Sequence, residues 1–201
     1  MQSEPDDVQV RAFQAGDVRG FDALFQRYQR PIFNYVYRMT SQLAVSEDLT
    51  QEVFLRVFSS LGRAGQVENF RAWLYRIATN VAISHLRRGE QRVTSLEDGI
   101  ERQTLEEPAG DVRENPEVQH LRREDVHQVA LALRHLSETH RQVLVLRQLQ
   151  GLSYHEMAEV LGLSVEAVTS LLHRARREFR ASMDSLSRGE ILESTGEEGR
   201  A

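Results

Sequence analysis

The stretch from Ser153 to Arg180, SYHEMAEVLGLSVEAVTSLLHRARREFR, constrains the fold more than any other part of the chain. Ser153 followed three residues later by Glu156 is a capping box, and it starts a helix. Ala158 is small where two helices must approach, and Gly162 stands where the chain must turn with positive φ. Leu163 is expected to plug that turn, and Ser164 to cap a second helix. At about 100° per residue, Val168, Leu172, Ala175 and Phe179 share a narrow arc, with Val165 and Leu171 at its edges. The opposite arc carries Glu166, Thr169, Ser170, His173, Arg177 and Arg180. This pattern is a helix-turn-helix whose second helix suits the DNA major groove. An ordinary helical hairpin shares the apolar period but has no need of the outward arginines.

Helical periodicity dominates the rest of the chain and no alternating strand stands out, so the expected fold is all-α. A short helix is predicted over Val8–Gln14, ending at Gly16. A longer one follows over Val18–Thr40, with Pro31 kinking or breaking it. Ser46 is placed to cap a third helix that reaches Leu61. Gly62 to Glu68 reads as a loop, after which Asn69 caps a fourth helix to about Arg88. The segment from Gly89 to Glu117 holds two prolines and three glycines without an apolar period, and reads as a linker. Helices resume over Glu117–Leu136, and Ser137 caps another to about Gln150. The expected organisation is two small helical domains, 5–90 and 120–183, a flexible acidic linker at 91–119 and a disordered tail at 184–201.

Charge supports that division. The net charge of the 201 residues is −5, which is unusual for a nucleic-acid binder. Its distribution removes the conflict. Gly62 to Ser95 has six arginines against two acids, and Val126 to Met183 has seven against five. Leu96 to Asp125 has four arginines against ten acids, and the tail from Asp184 has two against five. Local charge is what a phosphate backbone meets. Cysteine is absent, which excludes disulfides, thiol catalysis and zinc–thiolate sites. No apolar run approaches the roughly 20 residues of a membrane span. The polar start MQSEPDDVQV is unlike a signal peptide, so the expected location is the cytoplasm, without direct membrane insertion.

Two helices of the first domain carry outer faces that packing does not require. On the third, Leu49, Val53, Phe54 and Val57 form the buried arc, and Asp48, Gln51, Glu52, Leu55 and Ser59 face outward. A leucine ringed by acids and amides is suited to docking a basic partner helix. On the fourth, Phe70, Leu74, Ile77 and Val81 point inward. Arg76, Asn80, Ser84 and Arg87 line one flank, with Trp73 at its border and Tyr75 expected elsewhere on the surface. Cations and amides beside aromatic rings suit single-stranded DNA, although a lone tryptophan also serves as core.

The pieces SEDLTQEVFLRVF (46–58), FRAWLYRIATNVAISHLRR (70–88) and LSYHEMAEVLGLSVEAVTSLLHRARREF (152–179) resemble bacterial sigma-70 family factors. The short two-domain form resembles the extracytoplasmic-function group. The resemblance implies a dissociable initiation subunit of RNA polymerase, with no catalytic residue, cofactor or metal of its own. It implies that Asp48, Gln51, Glu52 and Leu55 dock on the clamp helices of the largest polymerase subunit. It implies that Arg71, Trp73, Arg76, Asn80, Ser84, Arg87 and Arg88 hold the melted −10 element, with a flipped base in the Gly62–Phe70 loop. Ser164, Glu166, Ala167, Thr169, Ser170, His173, Arg174 and Arg177 are the positions implied to read the −35 element. The linker is implied to thread toward the active-site channel and RNA exit path, and the flap region to meet the second domain. An anti-sigma factor, and a stress or envelope-signal regulon, are further implications.

The chain departs from the family pattern in places. Ser84 stands where the family usually has Asp, and Ala167, Thr169 and Leu171 where it often has Thr, Lys and Arg. Two fewer cations imply weaker, less salt-sensitive −35 binding. Readout then falls mainly on Glu166, Ser170, His173, Arg174 and Arg177, with Glu166 able to accept from a cytosine N4 amine. A stand-alone helix-turn-helix regulator is the alternative, but it leaves the faces of the first domain without a use. An enzyme is disfavoured: in HEMAE the second histidine of a metal-binding helix is replaced by Glu159.

Overall fold

The computed structural model describes residues 5–93 and 127–188, and every regular element within them is helical. The first domain comprises α1 (Asp6–Gln14), α2 (Val18–Thr40), α3 (Leu43–Leu61) and α4 (Phe70–Val93). The second comprises α5 (127–134), α6 (Glu138–Leu144), a π-wound turn over Val145–Leu149, α7 (Tyr154–Leu161) and α8 (Val165–Ser187). Most of the expected linker, the start of the helix predicted from Glu117, and the tail from 189 lie outside the described residues.

In the first domain, α1 crosses α2 with backbone against backbone. A Cβ at Gly20 would stand 2.4 Å from the Gln9 carbonyl oxygen and 2.9 Å from the Phe13 nitrogen, so only glycine permits this approach. Asp6 accepts from both Arg27 and Tyr28 of α2. The Gln14 side-chain amide donates to the carbonyls of Leu61 at 3.1 Å and Ala64 at 3.0 Å, tying the end of α1 to the end of α3. Pro31 does not break α2. Leu24, Tyr28, Ile32, Tyr35 and Met39 are buried on both sides of it, and that burial outweighs the roughly 3 kcal/mol of an internal proline.

The start of α3 also differs from expectation. The helix begins at Leu43, and Ser46 lies inside it rather than at its cap. The buried Ser46 hydroxyl donates to the Gln42 carbonyl and lies 2.9 Å from Thr40 Oγ1, so the tight α2–α3 corner already uses it. Asn69 behaves as read: its side-chain oxygen accepts from the Ala72 N–H at 3.1 Å and starts α4.

Capping in the second domain follows the sequence closely. Ser137 accepts from the His140 N–H at 3.4 Å. The Glu178 carboxylate accepts from the Ser137 N–H at 3.1 Å and pairs with the His140 ring, fixing α6 to α8. Both halves of the Ser153–Glu156 capping box are present, and Gly162 has φ +65. Leu163, however, does not plug the turn, being 41 % exposed. The N–H groups of Gly162 and Leu163 both donate to the Ala158 carbonyl, so hydrogen bonds close the turn instead. Helix α8 continues past Met183 to Ser187. Side chains of both domains, among them Tyr35, Tyr75, Leu146 and Met157, join one buried cluster.

Candidate nucleic-acid and docking faces

The outer face of α3 presents Asp48, Gln51 and Leu55 to solvent, with Glu52 half-buried. Leu55 is 69 % exposed, and Glu52 pairs with Arg56 one turn on. Next to them lies a feature that the helix reading missed. Phe58 is 47 % exposed and Phe25 36 %. They cap a cluster in which Phe25 and Phe54 centroids stand 4.8 Å apart, and Phe21 and Phe58 5.0 Å. Phe58 follows Leu55 by three residues, so helical spacing already placed the two on adjacent ground. The face is therefore an apolar centre with an acid–amide rim, the composition of a protein contact surface.

On α4, Arg76, Asn80, Ser84, Arg87 and Arg88 are all exposed. Their spacing sets them in one stripe along the helix. Arg88 Nε donates to the Ser84 carbonyl at 3.0 Å. Trp73 is half-buried, packed on the core with its ring centroid 6.0 Å from that of Phe70. Arg71 is already engaged: it donates to the Gln150 carbonyl and lies 3.5 Å from a Glu156 oxygen. Tyr75, expected on the surface, is 1 % exposed. Its hydroxyl donates to Gln150 Oε1 at 2.6 Å, because the start of the helix-turn-helix lies over it. Burial raises its pKa, so it stays a neutral donor at physiological pH.

On α8, Val168, Leu172 and Ala175 are buried, while Thr169, Ser170, His173, Arg174 and Arg177 are exposed. Ala167 is intermediate, too short to project beyond its neighbours. Ser164 is exposed and its hydroxyl caps the helix by accepting from the Ala167 N–H at 3.2 Å. Hydrogen bonds from its own backbone N–H and then from Ser164 hold the Glu166 carboxyl below the usual carboxylate range. Glu166 is thus an ionised acceptor in the first turn, suited to a base amine and unsuited to a phosphate. Arg174, Arg177 and Arg180 supply the cations farther along the same exposed side.

Among the described residues no group of histidines and acids could hold a metal, and no helix is long and apolar enough to cross a membrane.

Comparison with known proteins finds a family match in each half of the chain. The Sigma-70 region 2 family matches residues 24–92, and the Sigma-70 region 4 family matches 127–179. RNA polymerase sigma factor YlaC of Bacillus subtilis is 33 % identical over 163 residues, covering 80 % of this chain and 90 % of the relative. The ECF RNA polymerase sigma-E factor of Escherichia coli K12 is 34 % identical over 186 residues, covering 91 % and 96 %. Among solved structures, CnrH in complex with the cytosolic domain of CnrY superposes with a TM-score of 0.69 at 25 % identity, covering 90 % of this chain and 99 % of that one.

Proposed function

The chain belongs to the sigma-70 family of RNA polymerase sigma factors, in its extracytoplasmic-function group, and on that premise we propose a role for each face. As a sigma factor it binds core RNA polymerase and directs promoter-specific initiation. The α3 face, Asp48, Gln51, Glu52 and Leu55, docks on the clamp helices of the largest polymerase subunit. The exposed Phe25 and Phe58 beside it add apolar contact area. Residues 5–90 act as the docking and −10 unit, and 120–183 as the −35 unit, which also meets the flap region. Residues 91–119 connect them along the active-site channel.

In the −10 unit, Arg76, Asn80, Ser84, Arg87 and Arg88 track the backbone of the melted strand, with Arg71 and Trp73 at the border. In the −35 unit, α8 enters the major groove. Ser164, Thr169 and Arg177 contact backbone, and Glu166, Ser170, His173 and Arg174 face base edges, with Ala167 leaving room for the helix to approach. The observation that carries this reading is the pair of polar-to-basic helix flanks, one in each domain, both open to solvent. A stand-alone regulator has a use for only one of them.

The proposed location is the cytoplasm, where the polymerase works, and the proposed role excludes catalysis by this chain itself. An anti-sigma partner is proposed by similarity in fold to the sigma factor RpoE of Bartonella quintana, solved in complex with the anti-sigma factor NepR. A regulon answering stress or envelope signals goes with membership of the group. The test is transcription of fragmented genomic DNA by core polymerase with and without this protein. New start sites sharing two upstream elements are expected. Tight operator binding without polymerase, and no new starts, would favour the stand-alone regulator.

A further inference from the structure

Helix α1 lies ahead of the segment that matches the Sigma-70 region 2 family, which begins at residue 24, yet it is fixed to the first domain at three places. Asp6 accepts from Arg27 and Tyr28, and the missing Cβ of Gly20 lets α2 lie against the α1 backbone. Phe13 packs on two aromatic rings, its centroid 5.5 Å from that of Phe21 and 5.2 Å from that of Phe58. A helix held in this way carries its last residue, Gln14, at a set place. From there Gln14 reaches the connection between α3 and α4. Its side-chain nitrogen donates to the carbonyls of Leu61 at 3.1 Å, Ala64 at 3.0 Å and Gly65 at 3.3 Å. These carbonyls stand at and beyond the end of α3, where no further helical turn supplies a donor.

The bonds orient the peptide planes as well as satisfying them. A trans peptide directs its N–H opposite to its carbonyl, so the N–H groups of Gly65 and Gln66 are turned away from Gln14. At its other end the loop is anchored by Val67, packed against the core, and by Asn69, which caps α4. Arg63, Gly65, Gln66 and Glu68 stay exposed between those anchors. The loop therefore presents neighbouring backbone donors at the start of the helix whose flank is proposed to track the melted strand. An unpaired base carries acceptor atoms on its edge that such donors fit.

Resting on the −10 role proposed above, and on the Gly62–Phe70 loop as the place of the flipped base, we infer that Gln14 is a positioning residue for base capture. It acts from behind the loop, without touching DNA. By holding the Leu61–Gly65 backbone it aims the Gly65 and Gln66 N–H groups at the base, and so α1 takes part in −10 recognition. Donor chemistry rather than bulk is what this role needs. Gln14→Glu keeps the size and sets a carboxylate against carbonyl oxygens, whereas Gln14→Lys restores N–H donors.

The test uses core polymerase carrying the full-length protein and a single-stranded −10 oligonucleotide from a promoter at which it initiates. Binding is read by fluorescence anisotropy, with each −10 nucleotide replaced in turn by an abasic one. In the wild type, one position is expected to lose about tenfold on losing its base. Gln14→Glu should weaken binding of the intact oligonucleotide about fivefold, and Gln14→Ala about threefold. Gln14→Lys should stay within about twofold of the wild type. On the oligonucleotide abasic at the captured position, Gln14→Glu should match the wild type within about twofold, while its loss persists at the other abasic positions. Circular dichroism melts verify that each variant folds, and binding of a −35 duplex should not change.

A Gln14→Glu loss that persists on every abasic oligonucleotide overturns the positioning role and leaves the −10 role intact. So does a Gln14→Lys loss equal to that of Gln14→Glu, or wild-type binding by Gln14→Glu and Gln14→Ala alike. A wild type indifferent to every abasic replacement removes the captured base itself, and the role of Gln14 with it.

Discussion

Helices α4 and α8 are nearly equal in length, 24 and 23 residues, and each carries an arginine-bearing flank, yet they are buried differently. Helix α8 buries one side, through Val168, Leu172 and Ala175, and gives the other to solvent. Helix α4 is covered twice. Leu74, Ala78 and Val81 join the core cluster, while Arg71 and Tyr75 meet Gln150 of the second domain. A helix with one cover shows its burial as a 3.6-residue period in the sequence. A second cover, contributed by residues some 75 positions away, blurs that period and turns an apparent surface tyrosine into a core one.

The contrast can be broken most directly at Tyr75. Replacement by alanine should cost about 3–5 kcal/mol in denaturant unfolding, as for other buried aromatic rings. A loss within about 0.5 kcal/mol, normal for a surface site, would return Tyr75 to solvent and α4 to a single cover. On the α8 side, Arg177→Ala should leave the melting temperature in place and weaken promoter binding by about 1.5–3 kcal/mol across sequences. Its salt slope should shrink by about 0.9, measured by titration at several ionic strengths. A change confined to one base would make Arg177 a reader instead of a backbone contact.

Glu166→Ala sharpens the comparison within α8. Discrimination at one base pair should fall by about 1–3 kcal/mol in a panel of promoter variants, while unrelated positions stay as they were. A uniform change across the panel would assign Glu166 to general electrostatics. The smallest effect concerns the helix starts. Asn69→Ala and Ser164→Ala should each cost about 1 kcal/mol, since one side-chain acceptor is lost in either case. Unequal losses in thermal melts would show that the domain seam supports one helix start more than the other.

Local chemistry accounts for what was legible. Ser137, Ser153, Glu156 and Ser164 act on N–H groups three residues away, Asn69 does the same, and Gly162 adopts its left-handed turn alone. None of these needs a partner from elsewhere in the chain. The exposed members of the candidate faces, Asp48, Leu55, Arg76, Asn80, Ser170 and Arg177 among them, were legible by the same period. Ser46 was misread because its hydroxyl bonds back into the α2–α3 corner, and Leu163 because backbone bonds had already closed its turn. Gly20 left no trace, since its role is the space it vacates for the backbone of α1.

The sequence by itself determined the helical class, the starts of α4, α6, α7 and α8, the helix-turn-helix and the two exposed arginine-bearing flanks, because each depends on interactions within a few residues. Only the tertiary structure decided which side of α4 has a second cover, that Arg71 and Tyr75 answer to Gln150, and that Phe25 and Phe58 join Leu55 in one apolar patch. Those pairings bring together residues far apart along the chain. Their energy comes from desolvation and hydrogen bonds across a seam that no local period encodes.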